Sequence, residues 1–222
     1  MPLTRADAFL IPLLAGEVGI PMAGTHFLNA LGAAEGALGD RAARYRDAYR
    51  QSGAAVGAQV VDVEARLVRS GLAPPPRPDS YALYVRWSDE AVRLVADATG
   101  PMVPEGVLGA LGRVVGELMQ TVATHTAVLD LREVAPHHPM LLAYHEQLAA
   151  RTATHVERLP KIAQLPAFPP ELAPHAARLA AQGRVVAMLN RKTELGTQAA
   201  GLRLAFGQLG TTIRAVRALV EA

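Results

Sequence analysis

Apolar residues recur along this chain at alternating spacings of three and four, the period of a helix with one buried face. The clearest run is Val185, Met188, Lys192, Leu195, Ala199, Leu202, Phe206, Leu209, Ile213, Val216 and Val220, in which only Lys192 is not apolar. It predicts one C-terminal helix over 185–220, about 50 Å long at 1.5 Å per residue. Leu108, Leu111, Val115, Leu118, Val122, His125 and Leu129 predict a second long helix over 104–132. Ala42, Tyr45, Tyr49, Val56, Val60, Val63 and Leu67 predict a third over 41–70. Seams this regular call for long neighbouring helices crossing at about 20°.

Breakers divide the rest. Thr4 and Asp7 suit an N-cap with an acidic first turn, and the glycine and proline of 16–21 end a short N-terminal segment. Pro21 fits the first turn of a helix over 22–38, which Gly39 and Asp40 either end or kink. Gly71 caps the 41–70 helix and Pro74 prevents its continuation. The stretch PPPRPD, 74–79, is an extended connection and the one convincing linker. YALYVRW, 81–87, alternates like a strand, but a lone strand has no partner, so it is read as helix running into 88–100, with Ser88 as an alternative start. Pro136 and Pro139 bracket a turn, a helix over 140–159 stops before Pro160, and a short one fits 170–182. The expected fold is all-α, a single-domain helical bundle of about six to eight helices with long heptad-patterned members. Residues 1–73 form a candidate N-terminal helical arm, joined by 74–79 to 80–222, that can dock on a second subunit. A homodimer is expected.

Composition narrows the chemistry. Half of the 222 residues are apolar but only ten are aromatic, which excludes a disordered chain and argues against an all-β fold. The absence of cysteine excludes disulfides, thiolate metal sites and thiol nucleophiles. A net charge of +2, with 22 basic against 20 acidic residues, gives no dense positive field. The apolar run 8–15 is broken by Pro12 and flanked by Asp7 and Glu17, so it is not read as a secretory signal. No stretch of about 20 residues lacks charge, so no membrane span is expected and the chain is assigned to the cytoplasm.

Gly106, Gly109, Gly112 and Gly116 form a stripe along one helix; Gly32, Gly36 and Gly39, then Gly53 and Gly57, then Gly196, Gly207 and Gly210 form others. An interior glycine costs a helix about 0.8–1 kcal/mol relative to alanine. Close helix crossing is the favoured explanation, and a flat floor beneath a ligand the alternative.

Seven histidines invite a metal or haem reading, yet no His-x-x-x-His or Glu-x-x-His spacing occurs. His125 occupies a seam position, and His145 and His155 share a helix about 80° apart in projection; these three are the candidate cofactor ligands, for a haem or a single metal ion. Lys192 reads first as a register-setting polar residue in a seam. Arg41, Arg44 and Arg50, interleaved with Tyr45 and Tyr49, make the best basic face, on which nucleic-acid binding would rest. Phosphate-binding glycine loops and nucleophile elbows are absent, and serine stands only at 52, 70, 80 and 88. With no catalytic constellation, the sequence favours a non-enzymatic interaction or scaffold protein that binds itself or another helical protein. A bundle enzyme or carrier holding haem or a metal through a core histidine is the alternative.

Overall fold

The computed structural model of the chain describes residues 3–19, 21–79, 84–190 and 198–221. Among them the fold is an all-α bundle with no strand. Its helices are α1 (Arg5–Val18), α2 (Pro21–Ala33), α3 (Glu35–Leu38), α4 (Asp40–Arg69), α5 (Tyr84–Thr99), α6 (Pro104–Val134), α7 (Pro139–Ala163), α8 (Ala173–Asn190) and α9 (Gln198–Glu221), with a 3-10 turn at Pro170–Leu172.

The bundle is built around α1. Residues 8–18 are all buried, as a helix apolar on every face requires. Thr4 starts it by accepting the Asp7 amide at 3.0 Å, and Asp7 in turn accepts from Arg66 of α4 at 2.9 Å. Against α1 lie Val60, Val63 and Leu67 of α4, Trp87, Ala91 and Val95 of α5, and Leu209, Ile213 and Val216 of α9, in one continuous core. Ser88 sits inside α5 rather than at its start; its buried hydroxyl donates to the Ala15 carbonyl at 2.6 Å, which also accepts the Gly19 amide at 2.8 Å at the end of α1.

The α6 glycines explain how α1 is enclosed. A Cβ on Gly112 would fall well inside contact distance of the Phe9 carbonyl oxygen, and one on Gly116 likewise against the Leu13 carbonyl. A Cβ on Gly109 would stand 3.3 Å from the Ala8 carbonyl, and one on Gly16 2.9 Å from the Arg113 carbonyl. Gly109, Gly112 and Gly116 therefore mark a close helix crossing, as expected, whereas Gly106 backs onto the Gly100 carbonyl of the preceding turn. The explanation does not extend to the other stripes: Gly32, Gly36, Gly57 and Gly207 face open space.

A second cluster joins Phe27, Leu31 and Leu38 of α2 and α3 to Leu131 of α6 and Leu141, Tyr144 and Leu148 of α7. A third sets Val186 of α8 against Leu202, Ala205 and Phe206 of α9, with Leu129 of α6. That contact corrects the single helix over 185–220. In one straight helix Val186 and Leu202 would lie about 24 Å apart, whereas here they belong to one packed cluster, so α8 and α9 fold on each other. The spacing crosses the break but marks the buried face of α9 alone: its α9 members are buried from Ala199 to Val216 and Val220 is partly buried, whereas Val185 and Met188 of α8 are 44% and 59% exposed. Two boundaries also differ: 22–38 divides at Ala34, and α7 continues through Pro160 to Ala163; at Gly39 and Asp40 one helix ends and α4 begins, the first of the two alternatives there. Lys192, Gly196 and residues 81–83 lie outside the described residues, as do the surroundings of Gly53 and the side chain of Arg50.

Candidate functional site

A line of polar side chains runs beside the apolar seam of α6. Glu117, Thr121, His125 and Arg132, spaced at four, four and seven, share one face, and all but Glu117 are buried at 3% exposure or less. α7 lies antiparallel to it, so Glu117 meets His155 while His125 meets His145 further along. Of the three candidate histidines, the structure thus brings His125 and His145 together and sends His155 to a different neighbour.

Glu117 is a clasp between helices. Its Oε2 lies 3.2 Å from His155 Nδ1 and accepts from Arg158 at 2.7 Å, and its Oε1 accepts from Arg113 at 2.9 Å. Arg113 reaches on to Asp89 of α5 at 2.5 Å. Burial opposes ionisation of Glu117, but His155 and Arg113 outweigh it and hold the carboxyl down at about 2. Such a group is a fixed anion near neutral pH and unsuited to proton transfer there.

His125 is wholly buried, its ring edge-on to His145 at 4.7 Å and against Phe206 at 5.0 Å. Neither of its nitrogens has a hydrogen-bond partner among the described residues. Burial, then the charges of His145 and Arg132, lower its pKa to about 3, so its imidazole is neutral. His145 and Phe206 fill the space beside the ring. Among the described residues no three His, Asp or Glu side chains assemble as metal ligands.

A third perturbed group, Glu17, closes α1 at 8% exposure. Burial raises it to about 7, against the pull of Arg217 and a hydrogen bond donated by Gln59. Neither Glu17 nor Glu117 was among the sequence candidates. Both left a trace: Glu17 ends a run apolar on every side, and Glu117 begins the four-four-seven polar line that contains His125.

The basic face on α4 lies elsewhere. Arg41 and Arg44 are exposed and line a hollow of about 340 Å³ with Tyr45, Ala48, Asp130 and Glu133. Both carboxylates are held by Arg203 of α9, the contact to Glu133 at 2.8 Å, and the Tyr45 hydroxyl donates to Asp130 at 2.9 Å. A neighbouring hollow of about 270 Å³ shares Tyr45 and Ala48 and is walled by Phe27, Tyr49, Ala123, Thr124 and Ala127. None of the three candidate histidines lines either hollow.

No family model, no curated protein and no solved structure matches this chain.

Proposed function

We propose that this chain is a non-enzymatic helical interaction protein that pairs with a second copy of itself along α4. The observation that carries the reading is an apolar stripe on the outer face of that helix. α4 turns Val60, Val63 and Leu67 inward and leaves Ala58, Val61, Ala65 and Val68 exposed at spacings of three, four and three. Val61 and Val68 are 52% and 62% exposed. Isolated exposed valines need no explanation, but four small apolar residues in heptad phase have the form of a coiled-coil seam.

Charge selects the orientation. Asp62 and Arg69 flank the stripe on one side, and Arg69 is exposed with no ion-pair partner among the described residues. In an antiparallel pair about a two-fold axis, Ala65 meets Val68 of the partner subunit and Asp62 meets Arg69 of the partner subunit, each contact made twice, while Val61 and Ala58 reach past the partner's Arg69, where α4 of the second copy ends. A parallel pair would instead place Arg69 against Glu64 of the partner subunit; both acids are ion-paired within the chain, but Glu64, held by Arg77, is only 18% exposed, whereas Asp62, held by Arg66, is 43% exposed. The buried polar line of α6 and α7 supports the same class of function. Its carboxylate is a fixed anion, its central histidine is neutral, and among the described residues neither lines the hollows beside α4.

The seam is short for a stable interface of about 1,200–2,000 Å², so dissociation at micromolar concentration is expected. Light scattering of the wild type should give a dimer that dilutes to monomer. Arg69→Asp should remain monomeric and Asp62→Arg/Arg69→Asp should recover the dimer, with circular dichroism checking the fold of each. A wild type monomeric at about 100 µM, or a charge swap that rescues nothing, overturns the proposal.

A further inference from the structure

Towards the N-terminal end of α4, away from Val61 and Val68, the helix stands off α6 and the small residues facing the gap leave it unfilled. Ala48 looks across to Ala123 and Ala127, and the Tyr45 to Asp130 hydrogen bond pins the two helices at one end. The result is an apolar hollow that adjoins the charged hollow beneath Arg41 and Arg44, the two sharing Tyr45 and Ala48 as walls. Thr124 makes no polar demand on that cleft, since its hydroxyl donates to the Gln120 carbonyl at 2.9 Å.

The charged end is not neutral. Asp130 and Glu133 both bind Arg203, and Asp130 also accepts from Tyr45. Arg41 and Arg44 have no ion-pair partner among the described residues, so three arginines there face two carboxylates. They stand three apart on one helix face, placed to share one anionic head group. We propose that this cleft binds a small amphiphilic carboxylate, its apolar body over Tyr49, Ala123 and Ala127 and its head group on Arg41 and Arg44. Arg41 and Tyr49 lie about 12 Å apart along α4, which suits a medium acyl chain. Two hollows of this size, apolar at one end with a few convergent charged groups at the other, have the form of a small-molecule site. The charge left over selects an anion over a cation.

Calorimetric titration with decanoate, and with decyltrimethylammonium as the oppositely charged control, tests this. The wild type should bind one decanoate saturably and prefer it to the cation. Arg41→Glu/Arg44→Glu, both at exposed positions, should weaken decanoate about tenfold or more, roughly one surface charge interaction per arginine, and reverse the preference. Ala123→Phe, also at an exposed position, should fill the apolar end and reduce binding of both probes. No saturable binding to the wild type overturns the proposal. So does decanoate affinity unchanged in both variants, which would mark non-specific adsorption.

Discussion

Glu17 and His125 are buried groups pushed toward their neutral forms, one up to about 7 and the other down to about 3. From pH 4.5 to 7 the folded chain retains a proton on Glu17 that the unfolded chain has released, so this group makes stability fall as pH rises. From pH 3 to 6.5 the unfolded chain holds a proton on His125 that the folded chain excludes, so this one makes stability rise with pH. Where the windows overlap the slopes oppose each other. Each complete window is worth about 3–5 kcal/mol at 1.36 kcal/mol per pKa unit. Glu117 adds a further loss on the acid side, as pH falls from 4.5 towards 2. Glu17→Gln should therefore be about 3 kcal/mol more stable than wild type at pH 8 and should lose stability steeply on acidification. His125→Leu, which removes two unpartnered nitrogens, should lose that acid sensitivity and weaken as pH rises from 4.5 to 7. Urea unfolding across this range reads both, and profiles parallel to wild type would disprove the assignment. The burial of His125 was legible from its seam position. Its meeting with His145 rather than His155 was not, because the antiparallel register of α6 against α7 sets it, and no single-helix pattern encodes that register.

At the scale of the element, four stripes that look alike in the sequence divide into two physical kinds. Gly112 and Gly116 of α6 are pressed against the carbonyls of Phe9 and Leu13, while Gly32 and Gly207 face open space. An alanine gains about 0.8–1 kcal/mol in helix propensity at any of these positions. At Gly112 and Gly116 it must also separate α6 from α1, and overpacking costs about 1–3 kcal/mol or more when backbone has to move. Gly112→Ala and Gly116→Ala should lower the melting temperature, whereas Gly32→Ala and Gly207→Ala should raise it. A stabilising Gly112→Ala would show that the two helices do not approach as described. The sequence displayed the stripe but not its neighbour, since 8–15 is uniformly apolar and carries no periodic face by which to match it. The same limit produced the error over 185–220. Heptad spacing runs unbroken through α8 and α9 although they fold on each other, and in α8 it picks out Val185 and Met188, which are exposed.

At the scale of the whole molecule, 14 residues near the start of the chain organise the rest. α1 has no solvent face from 8 to 18 and is enclosed by α4, α5, α6 and α9. Read along the sequence, it is a short segment before the first glycine and proline breakers, and its role emerges only when an all-round apolar helix is required to be surrounded. The helices around it present apolar faces that nothing else in the bundle can cover: Gly109, Gly112 and Gly116 would line an empty channel, and Val60, Val63 and Leu67 would lose the surface they rest on. A chain starting at residue 20 should consequently keep much of its helix content, because α6, α7 and α9 are long and α7 pairs with both α6 and α8. It should lose cooperative unfolding, showing far-ultraviolet helical signal, a broad thermal transition and bound hydrophobic dye, the marks of a compact state without fixed side chains. In the intact protein the amides of α1 should exchange only through global opening and rank among the slowest in the molecule. A truncated chain that melts sharply, or α1 amides that exchange ahead of those in α7, would show that α1 is a peripheral strap and that the bundle is centred elsewhere.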